Sequence, residues 1–271
     1  MADAFGNFLR DALNNHLRGG TAYSPAATHY YALMTTMPLA SGGGVEVSGG
    51  SYARVAYTNN TGNYPAPSGG AVQNANPIDW GTATGNWGTI VGVAVYDASS
   101  GGNLVAFALL TTATTVLSGN PFSIPANSAT FNYNAACAWS TYLQNQIVGL
   151  VFGGTSWTPP STTYFSLQLV MPTAAGTGGT EASGGIYGRV AFTAGTGNWP
   201  ASSGQLIQNA AAIDWGTATA NLGSIVGVAE WDASSGGNLL TFKTLTAGAV
   251  TINIGTPFQL PVAGFQDIWQ A

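Results

Sequence analysis

Apolar positions recur at spacings of three and four near the start of the chain, at Phe5, Phe8, Leu9, Ala12, Leu13 and Leu17. That is the signature of one helical face. The spacing predicts an amphipathic helix over residues 3–18, with Asp3 as N-cap and Gly19-Gly20 as its stop. The period then changes. Tyr30, Tyr31, Leu33 and Met34 read as a strand ending near Met37-Pro38, and a glycine-rich turn follows at 41–44. Over 52–58 the pattern alternates, with Tyr52, Arg54, Ala56 and Thr58 on one face and Val55 and Tyr57 on the other. Residues 90–96 are apolar on both faces, as an interior strand requires. Residues 99–103 read as a connection into a strand at 104–111, and β-rich sequence continues to Phe131.

This order of elements occurs twice. Ile78-Asp79-Trp80-Gly81-Thr82-Ala83-Thr84 returns as Ile213-Asp214-Trp215-Gly216-Thr217-Ala218-Thr219, an offset of 214 − 79 = 135. Residues 49–107 and 184–242 agree at 40 of 59 positions, so the two halves share one fold. Upstream, Tyr142, Leu143, Ile147, Leu150 and Val151 reproduce the first helix, and Gly153-Gly154-Thr155 reproduces Gly19-Gly20-Thr21. With the join near 132–139, the expected domains are residues 1–135 and 136–271. Six to eight strands per unit, separated by Gly and Pro turns, predict a mainly β protein. Each domain is expected to be a β-sandwich or small barrel preceded by a short helix. Each half is long enough to bury a core of its own.

Composition narrows the functions. Charged residues are 6% of the chain and hydrophobic ones 45%, the reverse of a disordered sequence. So few charges leave little to keep a lone monomer soluble, which points to a surface covered by other protein. The five basic residues, Arg10, Arg18, Arg54, Arg189 and Lys243, form no run, so nucleic-acid binding is not expected. Cys137 is the one cysteine, which excludes an intrachain disulfide and a thiolate metal cluster. No signal-peptide pattern opens the sequence, and no uncharged apolar run approaches the ~20 residues of a spanning helix.

The candidate chemistry is sparse. His16 aligns with Leu150 and His29 with Thr163, so no duplicated site uses histidine. The loop from Asp97 to Asn103, repeated from Asp232 to Asn238, has one carboxylate, whereas calcium takes six to eight oxygens. A turn with Asp capping an amide and Gly at positive φ is the plain reading. The shared acids are Glu46/Glu181, Asp79/Asp214 and Asp97/Asp232, and the shared base is Arg54/Arg189. Acid–arginine contacts that fix the fold account for them. The Asp79-Trp80 and Asp214-Trp215 pairs also suit sugar contact, while a glycosidase needs two carboxylates flanking one bond. Tyr64/Trp199, Trp80/Trp215 and Tyr96/Trp231 stay aromatic, and Trp87 becomes Leu222, which favours packing. No nucleophile-elbow, metalloprotease or phosphate-loop pattern occurs. The expected roles of Arg54, Asp79, Trp80, Asp97, Arg189, Asp214, Trp215 and Asp232 are therefore structural. No enzyme activity, catalytic residue, cofactor or metal is expected.

A helix ending in Gly19-Gly20-Thr21-Ala22-Tyr23, a Tyr31-Ala32-Leu33 strand running to Met37-Pro38, the run from Val45 to Val55 and the Asp97 to Leu104 loop together resemble a family of small tailed-phage virion proteins. Its members are often labelled tail-fibre proteins, and related architectures serve as capsid cement or decoration proteins. The resemblance covers about residues 5–110 and 139–245. It implies a structural virion protein on the outer capsid surface, bridging neighbouring capsomers of the major capsid protein. Each unit would grip an equivalent site, and the second contact would be strengthened by being intramolecular. Self-association is left open, and neither nucleic acid nor membrane is a partner. The alternative implied is a tail-fibre or baseplate component binding a host-surface glycan through Trp80/Trp215 or Tyr64/Trp199.

Overall fold

The protein is described by a computed structural model covering residues 3–132 and 139–268. Cys137 and most of the expected join at 132–139 lie outside the described residues. The first unit runs β1 (Asp3–Phe5), α1 (Asn7–Leu17), β2 (Thr28–Thr36), β3 (Val45–Glu46), β4 (Val55–Thr58) and β5 (Ala71–Gln73). It continues with β6 (Ile78–Thr82), β7 (Gly88–Tyr96), β8 (Leu104–Val116), β9 (Pro121–Ile124) and β10 (Thr130–Asn132). The second unit runs α2 (Thr141–Val151), β11 (Thr162–Val170), β12 (Thr180–Glu181), β13 (Val190–Thr193), β14 (Leu206–Gln208) and β15 (Ile213–Thr217). It ends with β16 (Gly223–Ile225), β17 (Gly227–Trp231), β18 (Leu239–Thr244), β19 (Val250–Ile252), β20 (Pro257–Leu260) and β21 (Gln266–Ile268).

Both units are mainly β and every ladder is antiparallel. The main sheet of the first unit has the order β1-β8-β7-β2-β3, with β4 also on β2. The second repeats it as β18-β17-β11-β12, with β13 on β11. Two-stranded ladders β6–β9 and β5–β10 in one unit match β15–β20 and β14–β21 in the other. The sheets are open and do not close into barrels. The strand pieces outnumber the expectation because several are ladders of only two or three residues, too short to show a period in sequence.

Strand β7 is interior and buried on both faces: Val93 and Val95 face the main core, while Ala94 joins Ala32, Met34 and Leu104 in a smaller cluster behind the sheet. Gly92 and Gly227 are needed there. A Cβ at either would collide with the sulfur of Met37 or Met171 and with the carbonyl of Ala108 or Lys243.

The first helix begins later than its period predicts. Asp3 lies in β1, which pairs with Ala106–Ala108 of β8, and the N-cap is Gly6. The strand expected at 52–58 begins only at Val55, because Ser51 sits at φ 56° in a turn where the Tyr52 amide bonds the Gly49 carbonyl. The expectation of one self-contained core per half is also revised. The core of the first unit includes Leu143, Ile147, Val148, Leu150, Val151, Phe152 and Leu240 from the second half. Both helices lie between the units and are buried on two sides. In α1, Leu9, Leu13 and Leu17 enter the first core, while Asp11, Asn14 and Asn15 bond to the 202–205 segment of the second unit.

Candidate functional site

The repeat-signature residues assemble one motif, built twice. The Arg54 guanidinium binds the Glu46 carboxylate through Nε and Nη2 at 2.8–3.2 Å. Its Nη1 donates to the carbonyls of Ala98 (2.9 Å) and Gly101 (2.8 Å), and the group lies 3.8 Å from the Tyr96 ring centroid. Arg189 repeats this with Glu181, Ala233 and Gly236, 4.3 Å from Trp231. The Tyr52 hydroxyl donates to Glu46 and accepts the Leu33 amide, and Tyr187 does the same with Glu181 and Leu167. Burial, with the nearby carboxylate, pushes both phenols above their ordinary range, so they stay protonated donors. One arginine therefore ties the 97–103 loop and its own segment before β4 to strand β3.

The remaining shared acids also serve their own loops. Asp97 accepts the Asn103 amide at 2.6 Å and the Asn103 side chain at 2.7 Å, and Asp232 and Asn238 repeat both bonds. Gly101 and Gly102 supply φ of 60° and 77° in that turn. Asp79 accepts the Gly81 amide and Asp214 the Gly216 amide, both at 2.8 Å. Trp80 packs against Phe122 and Trp215 against Phe258, ring centroids 5.8 Å apart in each case. Tyr64 and Trp199, offered as glycan platforms, are 0% and 1% exposed and cannot stack a sugar. Among the described residues no group of three His, Cys, Asp or Glu could hold a metal ion, and no helix is long and apolar enough to cross a membrane.

The largest concentration of unusual chemistry is the junction between units. Each helix ends by placing its C-cap residue in an aromatic box of the opposite unit. At the end of α2, Phe152 enters the first unit, stacked on Phe131 at 4.3 Å and edge-on to His29 and Tyr64. Asn59 closes that end: its side chain donates to the Val151 carbonyl and accepts the Gly153 amide. At the end of α1, Arg18 enters the second unit. It binds Glu230 through Nη1 and Nη2 at 2.6 and 2.7 Å and Asp267 through Nε at 2.5 Å, and it lies 4.5 Å from the Trp199 ring. Arg18, Glu230 and Asp267 are at most 2% exposed. Burial opposes the charge on Arg18, but the two carboxylates outweigh it and hold the guanidinium protonated. Burial likewise works against an ionised Asp267, yet Arg18 and Lys243, 3.3 Å away, keep its carboxyl below the usual range.

The strand registers align the two boxes residue by residue. Phe131 pairs with Val72, and Asp267 pairs with Ile207, the repeat of Val72. Val95 pairs with Tyr31 in the first unit, and Glu230 with Phe165 in the second. Arg18, Glu230 and Asp267 thus stand where the other unit has Phe152, Val95 and Phe131. None of these was singled out from sequence. The available signal was the charge that turns Val91-Gly92-Val93-Ala94-Val95 into Val226-Gly227-Val228-Ala229-Glu230, in a strand apolar on both faces.

A family model described as podophage GP4 fiber I protein gp80 matches residues 4–132 and, a second time, residues 138–266. The chain belongs to that family. It carries the family unit twice, and each match spans one of the two units joined by the crossed helix ends. Membership makes the chain a structural protein of a tailed-phage virion, where its partners are other virion proteins. No curated protein matches it.

Proposed function

We propose that the chain is a fibre-side component of the tail that joins two different virion proteins, one on each unit. The observation that supports this is how the repeats diverge. The half-buried Arg54 and Arg189 motifs are the same, but the exposed large apolar residues are not shared. Leu39, Val45 and Leu109 of the first unit align with Thr173, Thr180 and Thr244. Ile186 and Ile254 of the second, 78% and 67% exposed, align with Ser51 and Ser118. Two units that met the same partner would keep the same exposed apolar positions, and these do not. The family's description as a fiber protein favours the tail.

The capsid-cement reading draws on the duplication itself, since two copies of one unit suit two neighbouring capsomers of the major capsid protein. It requires two like surfaces, and the exposed residues are unlike. Glycan binding keeps only Trp80 and Trp215, each half-buried with an indole nitrogen enclosed by protein. Labelling the chain on whole particles and imaging them by electron microscopy tests the proposal. Label on the tail is the expected result, and label distributed over the head supports cementing instead.

A further inference from the structure

The two boxes accept different helix ends, and that difference has a consequence for assembly. If α1 of one copy docked on the first unit of another copy, Arg18 would be buried beside Val95, Phe131 and His29, with no carboxylate at the aligned positions. If α2 docked on a second unit, Phe152 would sit against Glu230 and Asp267, with Lys243 left beside Asp267 and no cation on Glu230 among the described residues. An unpaired buried charge is among the most costly defects a core can hold. The matched arrangement satisfies both ends: three donors of Arg18 meet two carboxylates, and Phe152 meets aromatic rings.

The polar contacts along the helices follow the same division. Asp11 accepts from the Ser202 hydroxyl and the Gln205 amide, and the Asn15 side chain accepts the Ser202 amide. At the aligned positions of the other junction, Asn145 accepts the Gly70 amide, and Gly149 lies against Pro67. A helix carrying Asn15 in place of Gly149 would meet the ring of Pro67, which offers no amide to bond.

We infer that Arg18, with Glu230 and Asp267, is the specificity determinant that makes the first unit pair with a second unit and reject its own kind. The fused pair then closes on itself within one chain. Like-with-like exchange between copies, which would propagate into open assemblies, is excluded by charge burial.

The test rebuilds the first box in the second unit of the full chain, as Arg18→Phe, Glu230→Val, Phe265→Ala and Asp267→Phe together; Phe265 is included because it aligns with Ala129. Native and variant chains are refolded from denaturant at two protein concentrations and sized by light scattering. The native chain is expected to be monomeric at both. The variant is expected to yield dimers and longer species whose share rises with concentration. A variant that refolds only to monomer, or a native chain that forms the same oligomers, overturns the inference. Should the variant not refold, a double-mutant cycle on Arg18→Phe and Glu230→Val decides. Each single change is expected to lower the folding equilibrium constant by about 10²- to 10³-fold, and the pair by less than the product of the two. Effects that simply multiply overturn the inference.

Discussion

At the scale of the residue, one arginine per unit ties a loop to a sheet strand, and its value can be measured. Arg54→Met removes a two-pronged contact with Glu46, two carbonyl bonds and a ring contact. Glu46 is 27% exposed, so solvent offsets part of the loss, and a destabilisation of about 2 kcal/mol is expected in denaturant unfolding. Arg189→Met is expected to cost about the same, because the contacts are the same. Lysine is expected to restore little at either position, since an ammonium cannot span the carboxylate and the loop carbonyls together. His29 gives a pH dependence. Burial lowers its pKa from 6.5 to about 4, with Asp97 acting in the opposite direction. The unfolded chain therefore takes up the proton first, and stability falls as pH drops from about 6.5 towards 4. The loss is on the order of 3 kcal/mol. His16, also held below its ordinary value by burial, adds to the same slope. Asp267, held low, adds a further loss only below about pH 4. Unfolding midpoints across this range should flatten in His29→Gln, and an unchanged slope would remove His29 from the account.

At the scale of the element, the two helices show how one period is finished in two ways. Ser140 caps α2 by accepting the Leu143 amide, and its hydroxyl donates to the Leu239 carbonyl. Gly6 caps α1 without a side chain, and a Cβ there would run into the Leu104 carbonyl. Ser140→Ala is expected to cost about 1 kcal/mol. Gly6→Ser, which adds the better cap residue, is expected to destabilise rather than stabilise. Thermal unfolding of both variants checks the pair. The long elements were legible in the sequence because their periods extend over many residues: α2, the interior strand β7 and the turn from Asp97 to Asn103 all stand where the pattern puts them. The start of α1 was not, because Phe5 continues the apolar spacing of the helix yet belongs to a strand paired with β8. Spacing alone cannot separate a core residue on a helix from one on the strand leading into it.

At the scale of the whole molecule, the units are one folding entity because α2 and Phe152 complete the core of the first unit while Arg18 at the end of α1 fills the box of the second. The duplication and the β-rich class were readable from the repeat. The crossing of the helix ends was not, because an apolar face records that a helix is buried and not by what. Even so, Arg18 against Phe152 and Glu230 against Val95 are two differences at aligned positions, and their charges compensate only if α1 reaches the second unit. The most direct test is a substitution in one half read in the other. Phe152→Ala empties the aromatic box of the first unit, at a cost of about 3–5 kcal/mol. Residue-resolved hydrogen exchange under native conditions, followed at Leu33 and Val93 of the first unit and at Leu167 and Val228 of the second, measures the outcome. Leu33 and Val93 are expected to lose protection by at least as much as Leu167 and Val228. Loss of protection confined to Leu167 and Val228, with Leu33 and Val93 unchanged, would contradict it.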